Sequence, residues 1–98
     1  MALTAILLKA DGTQQPMTPK NGKHFKLAEL QAAVGGSIDI LSPPNGTVFV
    51  VHDEGKFLFP RNVEASNQWY AAYAGHDVDF AGDFLAGDVL VAPSKMVR

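Results

Sequence analysis

The sequence predicts one small α+β domain, in which a mainly antiparallel sheet of about five strands carries two packed helices. The chain has 98 residues, enough for one domain but too few for two independent cores. Hydrophobic residues make up 47% of it, which argues against disorder of the whole chain. Short strand-like runs alternate with two stretches of helical spacing. We therefore treat residues 1–98 as a single α+β domain.

The first two elements are predicted to be a buried strand and a broken edge strand. Residues 3–9 are rich in β-formers and mostly apolar, and Asp11-Gly12 then signals a tight turn. The polar stretch 14–23 contains two prolines, which cannot donate to a strand ladder. We expect it to be a loop or a short strand that pairs back on the first.

The first helix is predicted over residues 25–34. Leu27, Leu30 and Val34 follow one another at helical spacing and give one apolar stripe. Gly35-Gly36 ends the helix, because glycine adopts the left-handed conformation without a steric penalty. No residue before the helix is an obvious N-cap.

The middle of the chain is predicted to be a meander of three strands, over residues 37–41, 47–52 and 57–59. The first of them alternates between apolar and polar residues, and the second is nearly all β-branched or aromatic. Residues 53–56 are expected to form a hairpin turn in which Gly55 supplies a positive φ.

The last third is predicted to hold a second helix, a loop and a final strand. Pro60 suits a first helical turn, and the helix is expected over residues 62–73. Residues 76–82 form an acidic, irregular loop. Residues 87–92 are an apolar strand that Pro93 stops.

Composition and charge exclude several classes of protein. Eight basic against ten acidic residues give a net charge of −2, without the basic field of a protein that binds duplex nucleic acid. The absence of cysteine excludes a disulfide scaffold, a thiolate metal site and a cysteine nucleophile. The longest apolar run, residues 5–8, is far shorter than the ~20 residues that span a bilayer. We expect a cytoplasmic protein without membrane contact.

Three blocks of the sequence follow one another in a characteristic order. Residues 30–40 read LQAAVGGSIDI, residues 50–62 contain VVHDEGKFL and then PRN, and residues 86–91 read AGDVLV. They resemble three blocks of the family called domain of unknown function 3846. In that family the first block reads LQxxVGGxIE, the second reads V-x-N-E-E-G-K-L followed by P-x-N, and the third is a closing strand that contains GD. The resemblance covers about residues 25–92. His52 stands where the family pattern favours asparagine.

The resemblance implies a small α+β domain of a kind commonly carried by bacteria, phages and other mobile elements. A bacterial host cell is therefore the expected setting. The family has no assigned reaction, so the resemblance implies no catalytic residue and no cofactor.

An aromatic helix face is the first candidate for a binding surface. Trp69 and Tyr73 lie four residues apart on the second helix, with Tyr70 beside them. In a small domain such residues usually belong to the core, but they also stack on bases and form interfaces. Phe80 and Phe84 could extend the same patch.

The densest polar cluster runs from His52 to Lys56. In one interpretation His52, Asp53 and Glu54 form an acid/base site. In another the cluster is a solvated hairpin tip, since neighbouring strand residues point to opposite faces. In a third, Glu54, Lys56 and Asn62 hold the turn against the second helix.

No metal or phosphate site is predicted. The acidic stretch 76–83 lacks the ligand spacing of a calcium loop, and the three histidines are far apart. Gly35-Gly36 follows a helix, whereas phosphate-binding glycines precede one. No serine lies in a nucleophile-elbow pattern. We expect no metal, no cofactor and no catalytic residue.

These features favour a small non-enzymatic binding protein of phage or mobile-element origin. A counter-defence role is one expected use of such a protein. It would bind a host protein through the Trp69–Tyr73 helix, or sequester a small nucleotide-type ligand. The ligand would lie at an interface of a homo-oligomer, because one small domain offers little room for a deep pocket. Two alternatives stay open: a small hydrolase using His52, Asp53 and Glu54, and a structural or accessory phage protein.

Overall fold

The computed structural model describes residues 5–97, in which a five-stranded antiparallel sheet carries helices on both faces. The strands are β1 (Ala5–Leu8), β2 (Gln14–Met17), β3 (Ile38–Leu41), β4 (Thr47–His52) and β5 (Val89–Pro93). The helices are α1 (Leu27–Val34), α2 (Gly55–Leu58) and α3 (Val63–Ala71), and a 3-10 turn, Ser94–Met96, follows β5. The predicted α+β class is confirmed. Residues 3–4 of the predicted first strand lie outside the described residues.

The strand order is β2-β1-β5-β4-β3, and every neighbouring pair is antiparallel. β5 comes last in the chain but lies in the middle of the sheet. Its Leu90 is opposite Leu7 of β1 on one side and Val50 of β4 on the other. One strand therefore joins two hairpins, β1–β2 and β3–β4.

Alternation along the strands sends side chains into two cores. On one face α1 packs against Val50 and Leu90, and on the opposite face α3 packs against Phe49 and Val89. β4 and β5 are thus covered on both sides, which is why both read as nearly continuous apolar runs.

Of the two interpretations of the polar stretch 14–23, the short strand is confirmed, because Gln14–Met17 form the edge strand β2. It pairs with β1, and Pro16 lies opposite Ile6. Proline is tolerated there because the outer side of an edge strand has no ladder partner for an N–H.

α1 buries a narrower stripe than the predicted one. Leu30 and Val34 are buried, but Leu27 is 59% exposed. Phe25, two residues before the helix, fills the core in its place. The backbone is extended at Lys26, so Phe25 lies outside the helical spacing and reaches the core from before the helix.

A side chain from the first turn of α1 takes the place of the missing N-cap residue. The Glu29 carboxylate accepts hydrogen bonds from the backbone N–H of Lys26 (2.6 Å) and of Lys20 (2.9 Å). It thereby satisfies two donors, one of them at the helix start. These backbone donors also lower the pKa of Glu29 below its ordinary value.

The predicted return strand over residues 57–59, with its hairpin turn, is wrong. α2 is a single helical turn, and β5 occupies the edge of β4 that the return strand was expected to take. The turn ends before Phe59, which is extended because Pro60 disfavours a helical residue before it. Gly55 has no positive φ. It is glycine because a Cβ there would lie 2.9 Å from the carbonyl oxygen of Ala86.

α3 agrees with the predicted second helix, although Pro60 lies before it and not in its first turn. Asn62 is its N-cap. At nine residues it is the longest helix in the part of the chain that the structure describes, and no helix there could cross a bilayer.

Candidate functional site

A cavity of about 230 Å³ opens beside α2, on the sheet face that carries α3. The sheet contributes Leu41 and Val51, and α3 contributes Trp69. The remaining walls come from α2 and from the segment 83–86 that leads into β5. α2 thus forms one side of the cavity mouth, with Gly55, Lys56 and Phe57 in the wall.

Trp69 is the buried aromatic residue of the cavity wall. It is only 9% exposed and packs in the core with Phe49 and Val89. Its Nε1 is buried and has no hydrogen-bond acceptor among residues 5–97. An indole N–H can only donate, and a buried donor without an acceptor costs about 1–3 kcal/mol. Trp69 therefore carries a buried donor that the described chain does not satisfy and that has almost no accessible surface.

Carboxylates dominate the charged groups around the cavity. Asp39, Asp53 and Asp83 line it, together with Lys56. The Lys56 ammonium pairs with the Asp83 carboxylate and lies 5.6 Å from the ring centre of Phe84. Since that pair is neutral, Asp39 and Asp53 leave the cavity with a net negative charge.

His52 also lines the cavity, but both of its ring nitrogens face protein groups. Nδ1 accepts the backbone N–H of Glu54 at 3.0 Å and lies 3.5 Å from the Asp53 carboxylate. An accepting Nδ1 leaves the proton of a neutral imidazole on Nε2. Nε2 lies over Gly36, where a Cβ would be only 2.6 Å away. The ring also packs edge-on against Phe59 at 5.3 Å between centroids.

Asn62 is buried and fully engaged within the fold. Its Oδ1 accepts the backbone N–H of Ala65 at 3.0 Å, and its Nδ2 donates to the carbonyls of Leu8 and Gly87 at 2.8 Å each. These partners lie on α3, β1 and the approach to β5, and not on the 53–56 turn. Glu54, by contrast, is exposed and does not line the cavity.

The aromatic face of α3 packs inward around Phe80. The ring of Phe80 lies 4.8 Å from Trp69, 4.9 Å from Tyr70 and 5.4 Å from Tyr73, measured between centroids. Both tyrosines are half-buried, and the Tyr70 hydroxyl donates to the backbone carbonyl of Asp83. These contacts hold the loop between α3 and β5 in place as a wall of the cavity.

Of the residues predicted to bind, the structure brings Trp69 and Lys56 to one cavity. The sequence analysis did not connect them with Asp39, Phe57 or Asp83. Asp39 reaches the cavity through the pairing of β3 with β4, which the predicted meander contained, but the cavity itself depends on α2 and the segment 83–86, which the sequence did not place there. Phe57 was predicted to lie on the return strand, whereas it lies on α2 and is 90% exposed.

No group of three or more His, Asp or Glu side chains within residues 5–97 is arranged to hold a metal ion. The cavity wall presents three aspartate carboxylates, one of them paired with Lys56, and the exposed ring of Phe57.

Comparison with known proteins identifies one family. The sequence profile of the domain of unknown function DUF3846 matches residues 3–92 of the 98-residue chain. Neither the curated proteins nor the solved structures gave a match. The matched stretch contains every residue of the cavity wall. The chain belongs to the family of the domain of unknown function DUF3846.

Proposed function

We propose that this protein is a small non-enzymatic binding protein that sequesters a small nucleotide-type ligand in the cavity beside α2. The observation that carries the proposal is the ring of Phe57, which lines the cavity and is 90% exposed. A large apolar side chain left exposed at a concave site is typical of places where another molecule binds.

The composition of the cavity supports a small-molecule ligand. Mostly apolar and aromatic walls with a few polar groups are typical of such sites. Phe57 lies in the wall and is 90% exposed, so burial in the core does not explain its ring. Its face is available to stack on a flat ligand.

The proposal includes a homo-oligomer in which a second subunit covers α2. Phe57 and Leu58 are exposed beside the cavity, and covering them would close its mouth. Phage or mobile-element origin rests on the resemblance described above. With it we propose action in the cytoplasm of a bacterial host, in a counter-defence role.

A second candidate function is the binding of a host protein. It is favoured by the apolar surface of α2 and the start of α3, where Phe57, Leu58 and Val63 are 90%, 57% and 62% exposed. Exposed aromatic and aliphatic side chains of this kind serve as anchors in protein complexes. The Trp69–Tyr73 face itself is packed inward and offers such a partner little surface.

Native mass spectrometry of the protein purified from its host cells tests the proposal. We expect a stoichiometric small-molecule adduct on the wild type. Phe57→Ala should lose it, because the substitution removes a cavity wall from an exposed position. Leu27→Ala is the matched control: it removes an exposed apolar side chain from α1, on the opposite face of the sheet, and Leu27 does not line the cavity.

Two results would count against a ligand in this cavity. One is an adduct that Phe57→Ala retains, which would place it elsewhere. The other is a wild type without an adduct that carries a co-purified protein, lost equally in Phe57→Ala and Leu58→Ala. That second result would support host-protein binding through α2.

A further inference from the structure

We propose that His52 is a pH-sensitive switch for α2: the neutral imidazole holds the start of this helical turn, and the imidazolium releases it. Three contacts of the His52 ring support the switch. They are its hydrogen bond with Glu54, its short distance to the Asp53 carboxylate and its packing against Phe59. The switch goes beyond the proposed function, because it operates whether or not the cavity holds a ligand.

The hydrogen bond between His52 and Glu54 requires a neutral imidazole. Nδ1 accepts the backbone N–H of Glu54 at 3.0 Å. Glu54 is the N-cap of α2, and its carbonyl accepts the backbone N–H of Phe57 at 3.0 Å. In an imidazolium both ring nitrogens are donors. Protonation of Nδ1 therefore leaves two donors facing each other at the start of α2, and the hydrogen bond is lost.

The surroundings of the His52 ring connect it to both ends of α2. The side chain is only 10% exposed. Nε2 lies over Gly36, where even a Cβ would be 2.6 Å away, and the ring packs edge-on against Phe59. Glu54 precedes α2 and Phe59 follows it. A change in the charge or position of this one ring therefore acts on the whole turn.

A new partner for a protonated Nδ1 is close by. Asp53 Oδ1 lies 3.5 Å from Nδ1, and Asp53 supplies the only carboxylate within ion-pair distance of the ring among residues 5–97. A small movement lets Nδ1–H donate to this carboxylate in a charge-assisted hydrogen bond. The two states of the switch thus differ in the partner of Nδ1, which is the backbone of Glu54 in one state and the carboxylate of Asp53 in the other.

The other charged groups around the ring do not oppose a positive charge on His52. Asp39 lines the same cavity from β3, Lys56 from α2 and Asp83 from the segment before β5. Lys56 and Asp83 form an ion pair with each other. Within the described part of the cavity wall, no unpaired cation is therefore left to repel the imidazolium.

The switch changes a surface that is available to other molecules. α2 carries the exposed side chains of Phe57 and Leu58 and forms one side of the cavity mouth. A molecule that binds these side chains meets an ordered turn when His52 is neutral and a loosened one when it is protonated.

NMR spectroscopy of the full chain tests the switch. Between about pH 8 and about pH 5, where histidines usually change charge, the Glu54 amide signal should move with the same midpoint as the His52 ring signals. Protonation of His52 should also speed the solvent exchange of the Glu54 amide proton, after correction for the direct effect of pH. We expect an increase of about twofold to about tenfold, as for the loss of one hydrogen bond.

His52→Asn separates the hydrogen bond from the titration. An asparagine Oδ1 can accept the backbone N–H two residues further on, as Nδ1 does here, but it takes up no proton in this range. The variant should keep the Glu54 amide protected and remove the pH dependence of its signal.

Asp53→Asn tests the second state of the switch. The substitution removes the carboxylate that receives Nδ1–H, so the change at the Glu54 amide should move to lower pH. Asp77→Asn is the matched control, because it makes the same charge change on an exposed residue outside the cavity wall. It should leave the midpoint where it is in the wild type.

Three results would overturn the switch. They are a Glu54 amide that does not respond while His52 titrates, a His52 ring that does not titrate in this range, and equal pH dependence in the wild type and His52→Asn. Should His52→Asn fail to fold, equal midpoints in Asp53→Asn and Asp77→Asn would overturn it as well.

Discussion

At the scale of single residues, one buried amide ties three segments of the chain together. Asn62 caps α3 through Ala65 and donates to Leu8 at the end of β1 and to Gly87 before β5. Ser66, one turn along, donates to the carbonyl of Asn62 and accepts the backbone N–H of Leu85. The position of the segment 83–86, which forms one wall of the cavity, thus depends on the side chains of Asn62 and Ser66. Each of them is 1% exposed.

We predict that Asn62→Ala lowers the free energy of unfolding by about 3 kcal/mol. Loss of the cap accounts for ~1 kcal/mol, and the carbonyls left without their donor account for the rest. Urea denaturation measures the change, and a thermal scan should show a fall in Tm of about 12–24 °C. Asn67→Ala, on the exposed side of the same helix, should change the free energy by less than about 0.5 kcal/mol. Equal losses in the two variants would contradict the role assigned to Asn62.

At the scale of elements, α1 depends on a carboxylate that holds the start of the helix. The pKa of Glu29 is lowered from 4.5, first by the backbone N–H of Lys26 and then by that of Lys20. A carboxyl whose pKa is lower in the folded state stabilises the fold above its unfolded pKa. That contribution is lost as the pH falls through the folded-state pKa. The stability of α1 should therefore weaken in acid.

We predict that Glu29→Gln is less stable than the wild type at neutral pH, and that the difference disappears as the pH falls from about 5 towards about 2. Urea unfolding at a series of pH values measures the difference. Glu64→Gln is the control, because Glu64 also lies in the first turn of a helix but its carboxylate accepts no backbone N–H within residues 5–97. A difference that persists unchanged in acid would mean that the Glu29 charge does not act through the helix start.

Local patterns predicted most elements because those elements form from local preferences. β4 is a run of β-branched residues, and α3 has the spacing of a buried helical face. α2 could not be predicted, because a polar turn followed by Phe-Leu-Phe has the pattern of a hairpin. Its true conformation depends on Gly55 passing close to Ala86, a contact between distant parts of the chain.

The candidate site was predicted in part for the same reason. Trp69 and Lys56 stood out by residue type and by their neighbours in the sequence. Asp39 and Asp83 belong to the site only because β3 pairs with β4 and because the loop after α3 folds back over it. The β3–β4 pairing was predicted as part of the meander, whereas the return of the loop over the site has no signal in the local sequence.

At the scale of the whole molecule, two cores share one pair of strands. α1 covers one face of β4 and β5, and α3 covers the other, so the loss of either core exposes the same strands. Small domains of this kind usually unfold in a single cooperative step. A substitution that destabilises the core on one face should therefore lower the stability of the core on the other face as well.

We predict that Leu30→Ala, on the α1 face, lowers the free energy of unfolding by about 2–5 kcal/mol. Trp69 fluorescence, which reports on the opposite face, and far-UV circular dichroism should show the same shifted transition. Leu27→Ala, on the same helix but 59% exposed, should shift it by less than about 0.5 kcal/mol. A fluorescence transition that stays in place while the dichroism shifts would show that the two cores unfold separately.

The central position of β5 has a consequence for protein synthesis. A nascent chain that has reached residue 88 contains the two hairpins and the three helices but not the strand that joins the hairpins, and an isolated hairpin is marginally stable in water. The contacts that join the hairpins are made by Leu90 and its neighbours, which leave the ribosome after both hairpins. The sheet is therefore completed only after β5 has been translated. Until then the facing edges of β1 and β4 are open to chaperones and to other nascent chains.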